Sequence, residues 1–192
     1  MPRLLMVGLS HHAAPIEVRE RVAIDEAVWR GVAPSDLGTV LLSTCNRVEV
    51  YAWIDGRTRT SVRVLSRALA DAAGVRLAEV QPYLTSRVGR DALLHLVRVA
   101  SGLDSLVVGE EQIRGQVRSA LRSAEDCQKL APSLRGIFQR AAESARRIRS
   151  GTRLGQVPSI AVAGVNVARR GLAGGVQGEL AVVLGAGVMA RA

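Results

Sequence analysis

Residues 39–53 read TVLLSTCNRVEVYAW. An apolar run (39–44) stops at a cluster of small polar residues, and a second run with period two (47–54) follows it directly. Two strands joined by a tight connection account for the pattern. The tip carries Cys45, Asn46 and Arg47, where an Asn-Gly pair would make the less costly turn. A thiol, an amide and a guanidinium at a hairpin tip point to chemistry rather than to turn stability.

Outward from this hairpin, LLMVGLSHH (4–12) reads as a strand and PIEVRERVAI (15–24) as a short helix with Pro15 at its favoured first position. TSVRVLSRALADAAGV (60–75) has helical spacing, and VQPYLTSRV (80–88) reads as a weaker strand. The first 90 residues thus follow β-α-β-β-α-β, the split βαβ pattern of a ferredoxin-like sheet. From Gly89 the period is helical: 91–103, 107–127, 133–153 with a Ser cap after Pro132, and 159–170. The last segment, GELAVVLGAGVMARA (178–192), sets a buried strand (180–184) before Gly185, Ala186, Gly187, Val188, Met189 and Ala190. That is G-x-G-x-x-A in the strand-to-helix setting a dinucleotide pyrophosphate needs, the start of a Rossmann domain. The expected class is α+β: a ferredoxin-like domain with a helical extension (1–153), a linker and helix (154–177), and the first strand and turn of a truncated Rossmann unit (178–192).

A chain of 192 residues with 48% hydrophobic content can bury a real core. No segment is apolar for the roughly 18 residues of a membrane helix, and the N-terminal apolar stretch is too short for a secretory leader. A cytoplasmic protein without a membrane partner is expected, with both cysteines as free thiols. Net charge is +9, nearly all of it arginine, which favours a polyanionic partner. Aromatic content of 3% argues against reading single-stranded bases by stacking. Cys127 reads as a small core residue at a helix end, whereas Cys45, flanked by Ser43, Thr44, Asn46 and Arg47, reads as a nucleophile whose thiolate the arginine favours. His11 and His12 have no metal spacing around them, and no metal site is read. Gln112 and Gln116, four apart, share a helix face.

STCNRVEVY (43–51) closely resembles the active-site motif of the glutamyl-tRNA reductase family. GLSHHAAPIEVRER (8–21) is similar to the family's opening segment and HLVRVASGLDSLVVGEEQIRGQV (95–117) to its second long motif, while GAGVMA (185–190) stands where its NADPH fingerprint belongs. The resemblance implies glutamate esterified to tRNA as substrate, a Cys45 thioester, and NADPH-dependent reduction to glutamate-1-semialdehyde for tetrapyrrole (5-aminolevulinate) biosynthesis. It implies that Arg47 grips the substrate's side-chain carboxylate; the alternative is that it only tunes Cys45. Thr44 and Asn46 position the acyl group or serve as turn formers. His95 becomes a residue needed for activity, through proton transfer. Ser105, Glu110, Glu111, Gln112 and Gln116 line the glutamate pocket, with Glu110 facing the ammonium; the alternative is a solvated helix start.

Members of the family are homodimers that continue through a complete NADPH domain and a helical dimerisation domain. A chain ending at Ala192 is therefore expected to be truncated, and any thioester it forms is expected to be hydrolysed rather than reduced. Handover of the labile aldehyde to the next pathway enzyme is a further expected partnership. The alternative function is a non-catalytic tRNA-binding fragment using Arg135, Arg140, Arg146, Arg147 and Arg149. A generic NAD-dependent dehydrogenase fragment would explain 185–190 but not the hairpin.

Overall fold

A computed structural model describes residues 1–127, 130–156, 160–172 and 177. The strand expected at 180–184 and the glycine motif at 185–190 lie outside the described residues.

Four strands form one antiparallel sheet: β1 (Arg3–Ser10), β2 (Thr39–Ser43), β3 (Arg47–Ile54) and β4 (Thr85–Val88), in the order β2-β3-β1-β4. β1 pairs along its whole length with β3, from Arg3 opposite Ile54 to Ser10 opposite Arg47. β4 closes the outer edge of β1, and β2 pairs with β3 from Thr39 opposite Ala52 to Ser43 opposite Val48. The α+β class is as expected.

Both faces of this sheet are covered, which is why 39–43 shows no polar alternation. Leu4, Met6, Val40, Leu42 and Tyr51 face α5 (Arg90–Ala100), α6 (Gln112–Cys127) and α7 (Pro132–Ser150). Leu5, Val7, Leu41, Val50 and Ala52 face the opposite way, against α2 (Glu26–Val32) and α3 (Thr58–Ala72). Each inward leucine contributes about 1.5–3 kcal/mol through burial, so the hairpin is anchored from both sides.

Several elements differ from the sequence reading. The helix expected at 15–24 is only α1 (Ile16–Arg21); Pro15 stands outside it as the extended residue that opens it, and no residue of the helix is buried. α2 was not expected. Asp25 caps it by accepting from the Ala27 amide at 2.7 Å, and its one buried side chain, Trp29, donates from Nε1 to Thr39 Oγ1 at 3.2 Å. The strand expected at 80–88 is reduced to Thr85–Val88. Its first part is instead α4 (Leu77–Val80) and a 3₁₀ turn (Gln81–Tyr83), because Pro82 has no amide to give a ladder and its fixed φ suits a helical start. The helix expected from 107 begins at Gln112. Gly102 and Gly109, at φ +76° and +91°, force a closed loop before it. α7 starts with Pro132 itself after Ala131, not on a Ser cap. α8 (Ile160–Gly171) lies near the helix expected at 159–170. Cys127, expected in the core, ends α6 exposed to solvent.

Gly8 sits in mid-β1 opposite Glu49. A β-carbon there would lie 2.2 Å from the Val48 carbonyl oxygen and 2.6 Å from Glu49 Cα, both backbone atoms that cannot step aside. Gly8→Ala is therefore expected to destabilise the chain by more than about 2 kcal/mol, read as a lower urea midpoint, despite the better strand propensity of alanine.

Candidate functional site

The hairpin tip is a hydrogen-bonded turn. Thr44 Oγ1 accepts from the amides of Asn46 and Arg47, both at 3.2 Å, and the Thr44 amide donates to the Arg47 carbonyl at 2.8 Å. The chain after β1 clasps it from the side: the His11 amide donates to the Asn46 carbonyl at 2.9 Å, and Arg19 Nε to the Cys45 carbonyl at 3.2 Å. The local hydroxyl thus does the work a glycine would do in an ordinary turn. On this pinned turn the Cys45 side chain is exposed.

Cys45 opens onto a cavity of about 270 Å³. Thr44, Asn46 and Arg47 form its hairpin wall, Ser105 and Glu110 come from the loop before α6, and Gln112, Ile113 and Gln116 come from the first turns of α6. Eight of the residues singled out from the sequence meet there. Glu111 does not; it points outward to pair with Arg114 at 2.6 Å. His95 does not line the cavity either. A larger hollow of about 1,070 Å³ lies on the opposite face between α3 and β4, with Val7, Val62 and Leu84 in its wall, but neither a thiol nor an imidazole reaches it. Volume alone does not locate the chemistry.

Behind the cavity is a buried charge network. Arg47, only 1% exposed, donates from Nη1 to Glu49 Oε1 at 2.9 Å and to Asp104 Oδ2 at 3.1 Å, and from Nη2 to the Asp104 carbonyl. Arg47 thus stands in the cavity wall while its terminal nitrogens also hold Glu49 and Asp104. Glu49 also receives Tyr51 Oη on Oε2 at 2.7 Å and lies 2.8 Å from His95 Nε2. His95 Nδ1 is 3.9 Å from Asp104, and His12 Nε2 is 3.1 Å from the other Asp104 oxygen. On α7, Arg149 turns inward and donates from Nη1 to the carbonyls of Gly109 (2.5 Å) and Glu110 (3.2 Å). It is buried, so it does not belong with the surface arginines assigned to nucleic acid. Arg135 is paired with Glu125, and Arg146 and Arg147 with Glu143, whose carboxyl falls to about 2 between them.

Burial by itself would push the Glu49 carboxyl up, but the bond with His95 and the charge of Arg47 outweigh it and hold it below the usual range. Asp104 behaves alike: burial opposes ionisation, and the Arg47 charge and bond overcome it. Burial and the neighbouring Glu49 raise the Tyr51 phenol well above its ordinary value, so it stays a donor.

Glu49, Asp104, Tyr51 and Arg149 were missed from sequence. Glu49 left a signal, an acid in the middle of an otherwise apolar strand, two residues from Arg47 and two from Tyr51 on the same face. Asp104 and Arg149 left none, since their partners are distant in the chain.

The fold and site define an α+β domain that presents a cysteine thiol at a small cavity whose lining residues, Ile113 apart, carry polar groups. Residues 7–152 match the family model described as glutamyl-tRNAGlu reductase, N-terminal domain. The chain is 39% identical to a glutamyl-tRNA reductase of Syntrophotalea carbinolica (96% of this chain, 43% of that one) and 40% identical to one of Synechococcus sp. (98% and 45%). It is also similar to the solved structure of glutamyl-tRNA reductase from Methanopyrus kandleri, with a TM-score of 0.66 and 36% identity over 88% of this chain and 40% of that one. The chain belongs to the glutamyl-tRNA reductase family through its N-terminal domain. It spans less than half the length of the relatives it matches.

Because Glu49 and Asp104 release their protons more readily folded than unfolded, the unfolded chain binds more protons as pH falls. Their contribution is complete above the ordinary carboxylate values of 4.5 and 3.8 and is lost as pH drops through and below them. Urea midpoints taken from pH 7 to pH 3 should fall steeply below about pH 5. In Glu49→Gln the fall should be shallower, from a starting stability lowered by about 3–5 kcal/mol because Arg47 loses a buried partner.

Proposed function

We propose that this chain is the acyl-accepting part of a glutamyl-tRNA reductase, with Cys45 as nucleophile. The observation that carries the reading is an exposed thiol on a pinned turn, facing a cavity of about 270 Å³ whose other wall holds Glu110. The Cys45 thiolate attacks the ester carbonyl carbon of glutamyl-tRNA. A carbon–sulfur bond forms, the bond to the ribose oxygen breaks, and that oxygen leaves with the proton the thiol gave up, so thiol and ester become thioester and free tRNA. Thr44 and Asn46 set the acyl group against the sulfur. Glu110, which makes no ion pair with the described residues, takes the substrate ammonium. The hydroxyl of Ser105 and the amides of Gln112 and Gln116 offer neutral donors to the side-chain carboxylate.

Arg47, in the wall of the same cavity, faces the substrate's side-chain carboxylate and also ties the loop carrying Ser105 to the hairpin carrying Cys45. His95 has a carboxylate at each ring nitrogen, which supports a positioning role on Glu49 and Asp104 rather than proton transfer to substrate. NADPH supplies a hydride when bound, and Gly185 to Ala190 are the residues that would hold its phosphates; they lie outside the described residues. The product of the complete reaction is glutamate-1-semialdehyde, a tetrapyrrole precursor made in the cytoplasm. The strand order β2-β3-β1-β4 supports reading the sheet as ferredoxin-like, with 1–153 as the catalytic domain. No described helix is long and apolar enough to cross a membrane. The alternative of a purely tRNA-binding role is weakened by the inward turn of Arg149 and the ion pairs of Arg135, Arg146 and Arg147.

Mixing the chain with glutamyl-tRNA and quenching in acid should give an intact mass raised by one glutamyl group on Cys45, and Cys45→Ser should lower acyl transfer by at least about 10³-fold. In a separate measurement iodoacetamide near pH 7 should label Cys45 at least about tenfold faster than Cys127. Both thiols are exposed, so equal rates would remove the case for an activated Cys45.

A further inference from the structure

A second hollow, of about 340 Å³, shares Gln116 as a wall with the Cys45 cavity; its Ser43 immediately precedes Thr44 of the first. It lies between the start of α2, the edge strand β2 and the middle of α6. Its polar lining includes Ser43, Ser119, Ser123 and Glu26, and Ile24 and Leu41 give it an apolar floor. In a chain with net charge +9, no arginine or lysine is part of this lining among the described residues, while Asp25 and Glu26 are. Arg122 and Arg30 approach only as far as the hydroxyls of Ser119 (3.2 Å) and Ser123 (3.3 Å), to which they donate. Burial holds the Glu26 carboxyl above its ordinary range, and Ser123 bonds to it.

With two acids and no cation in the lining itself, the cleft suits an uncharged ligand rich in hydrogen-bonding groups better than a phosphate. Ser119 accepts from Arg122 and keeps its own proton to give, the Gln116 amide both donates and accepts, and a carboxylate accepts from hydroxyl or amino groups. An apolar floor under polar rims is how a flat heterocycle is held.

Resting on the reading of Cys45 as acyl acceptor, we infer that this second cleft receives the uncharged 3′-terminal nucleoside of the acyl carrier, a purine ribonucleoside, while the glutamyl group occupies the first. The ester carbon at Cys45 carries two substituents that must diverge. One enters the cavity of Ser105 and Glu110; the other, the ribose, passes Gln116 into the adjoining space. Gln116 thus separates the retained group from the leaving group. The arginine-rich surfaces are left to the charged body of the carrier, where phosphates require them.

The experiment compares acyl transfer to Cys45 in the 192-residue chain from two glutamyl esters with the same vicinal-diol leaving group: 2′(3′)-O-glutamyl-adenosine and the glutamyl ester of cis-tetrahydrofuran-3,4-diol, which lacks the base. The nucleoside ester should react at least about tenfold faster at low concentration, since binding energy from the base is spent at the reacting carbon, and Ser119→Phe should bring the ratio to about one. A ratio of two substrates on one preparation does not depend on how much of it is folded. Ser123→Leu should lower the same ratio. A wild-type ratio near one overturns the inference, and so does a preference that survives both substitutions. If neither ester nor glutamyl-tRNA acylates Cys45, the nucleophile itself is wrong and this subsite falls with it.

Discussion

The pairing of Arg47 with Glu49 and Asp104 is the constraint on which the rest of the site depends. A guanidinium that is 1% exposed is tolerable only when carboxylates face it, and here one comes from its own strand and the other from the loop that follows α5. The two partners do different things. Glu49 ties Arg47 to Tyr51 and to His95 on α5, so the sheet and its covering helix share one set of charges. Asp104 gives a side-chain oxygen and its carbonyl to the same arginine, which draws the loop bearing Ser105 and Glu110 over the hairpin tip. Arg149 grips the far end of that loop from α7. Without these two arginines nothing in the sheet itself would hold the second wall of the cavity opposite Cys45.

The reactive side chain is set on a frame but not sealed within it. Thr44 Oγ1 takes the Asn46 and Arg47 amides, Arg19 and His11 take the Cys45 and Asn46 carbonyls, and the thiol is left exposed beside a cavity of about 270 Å³. Charge that would be costly next to apolar core is gathered one residue further in and neutralised there. Rigidity and reactivity are therefore carried by adjacent but different residues, and a group such as His95 can matter to the first without touching the second.

Bulk charge is a poor guide to where a polyanion would meet this surface. On α6 and α7, Arg114, Arg146 and Arg147 stand one helical turn from a glutamate and are paired with it, Arg135 is paired across to Glu125, and Arg149 is internal. The cleft that adjoins the reactive thiol is, against the sign of the whole molecule, lined by acids and hydroxyls. Local lining decides what a cleft admits, whatever the net charge.

Local signals in the sequence were enough to determine the strands of the hairpin, the helices α5, α6, α7 and α8 that follow Gly89, and the residues that gather around Cys45, because period, turn chemistry and a long motif are properties of neighbours in the chain. Length and partners of the weaker elements were not legible: Pro82 reassigned half of an expected strand, two glycines delayed α6 to Gln112, and α2 had no strong pattern beyond its Asp25 cap. Tertiary structure alone decided that Arg47 faces inward, that Asp104 and Arg149 belong to the site, that His95 stands behind it, and that Cys127 is exposed. The physical reason is range. Burial and ion pairing depend on groups that approach across 40 to 57 residues of chain, a separation at which no periodicity in the sequence carries information.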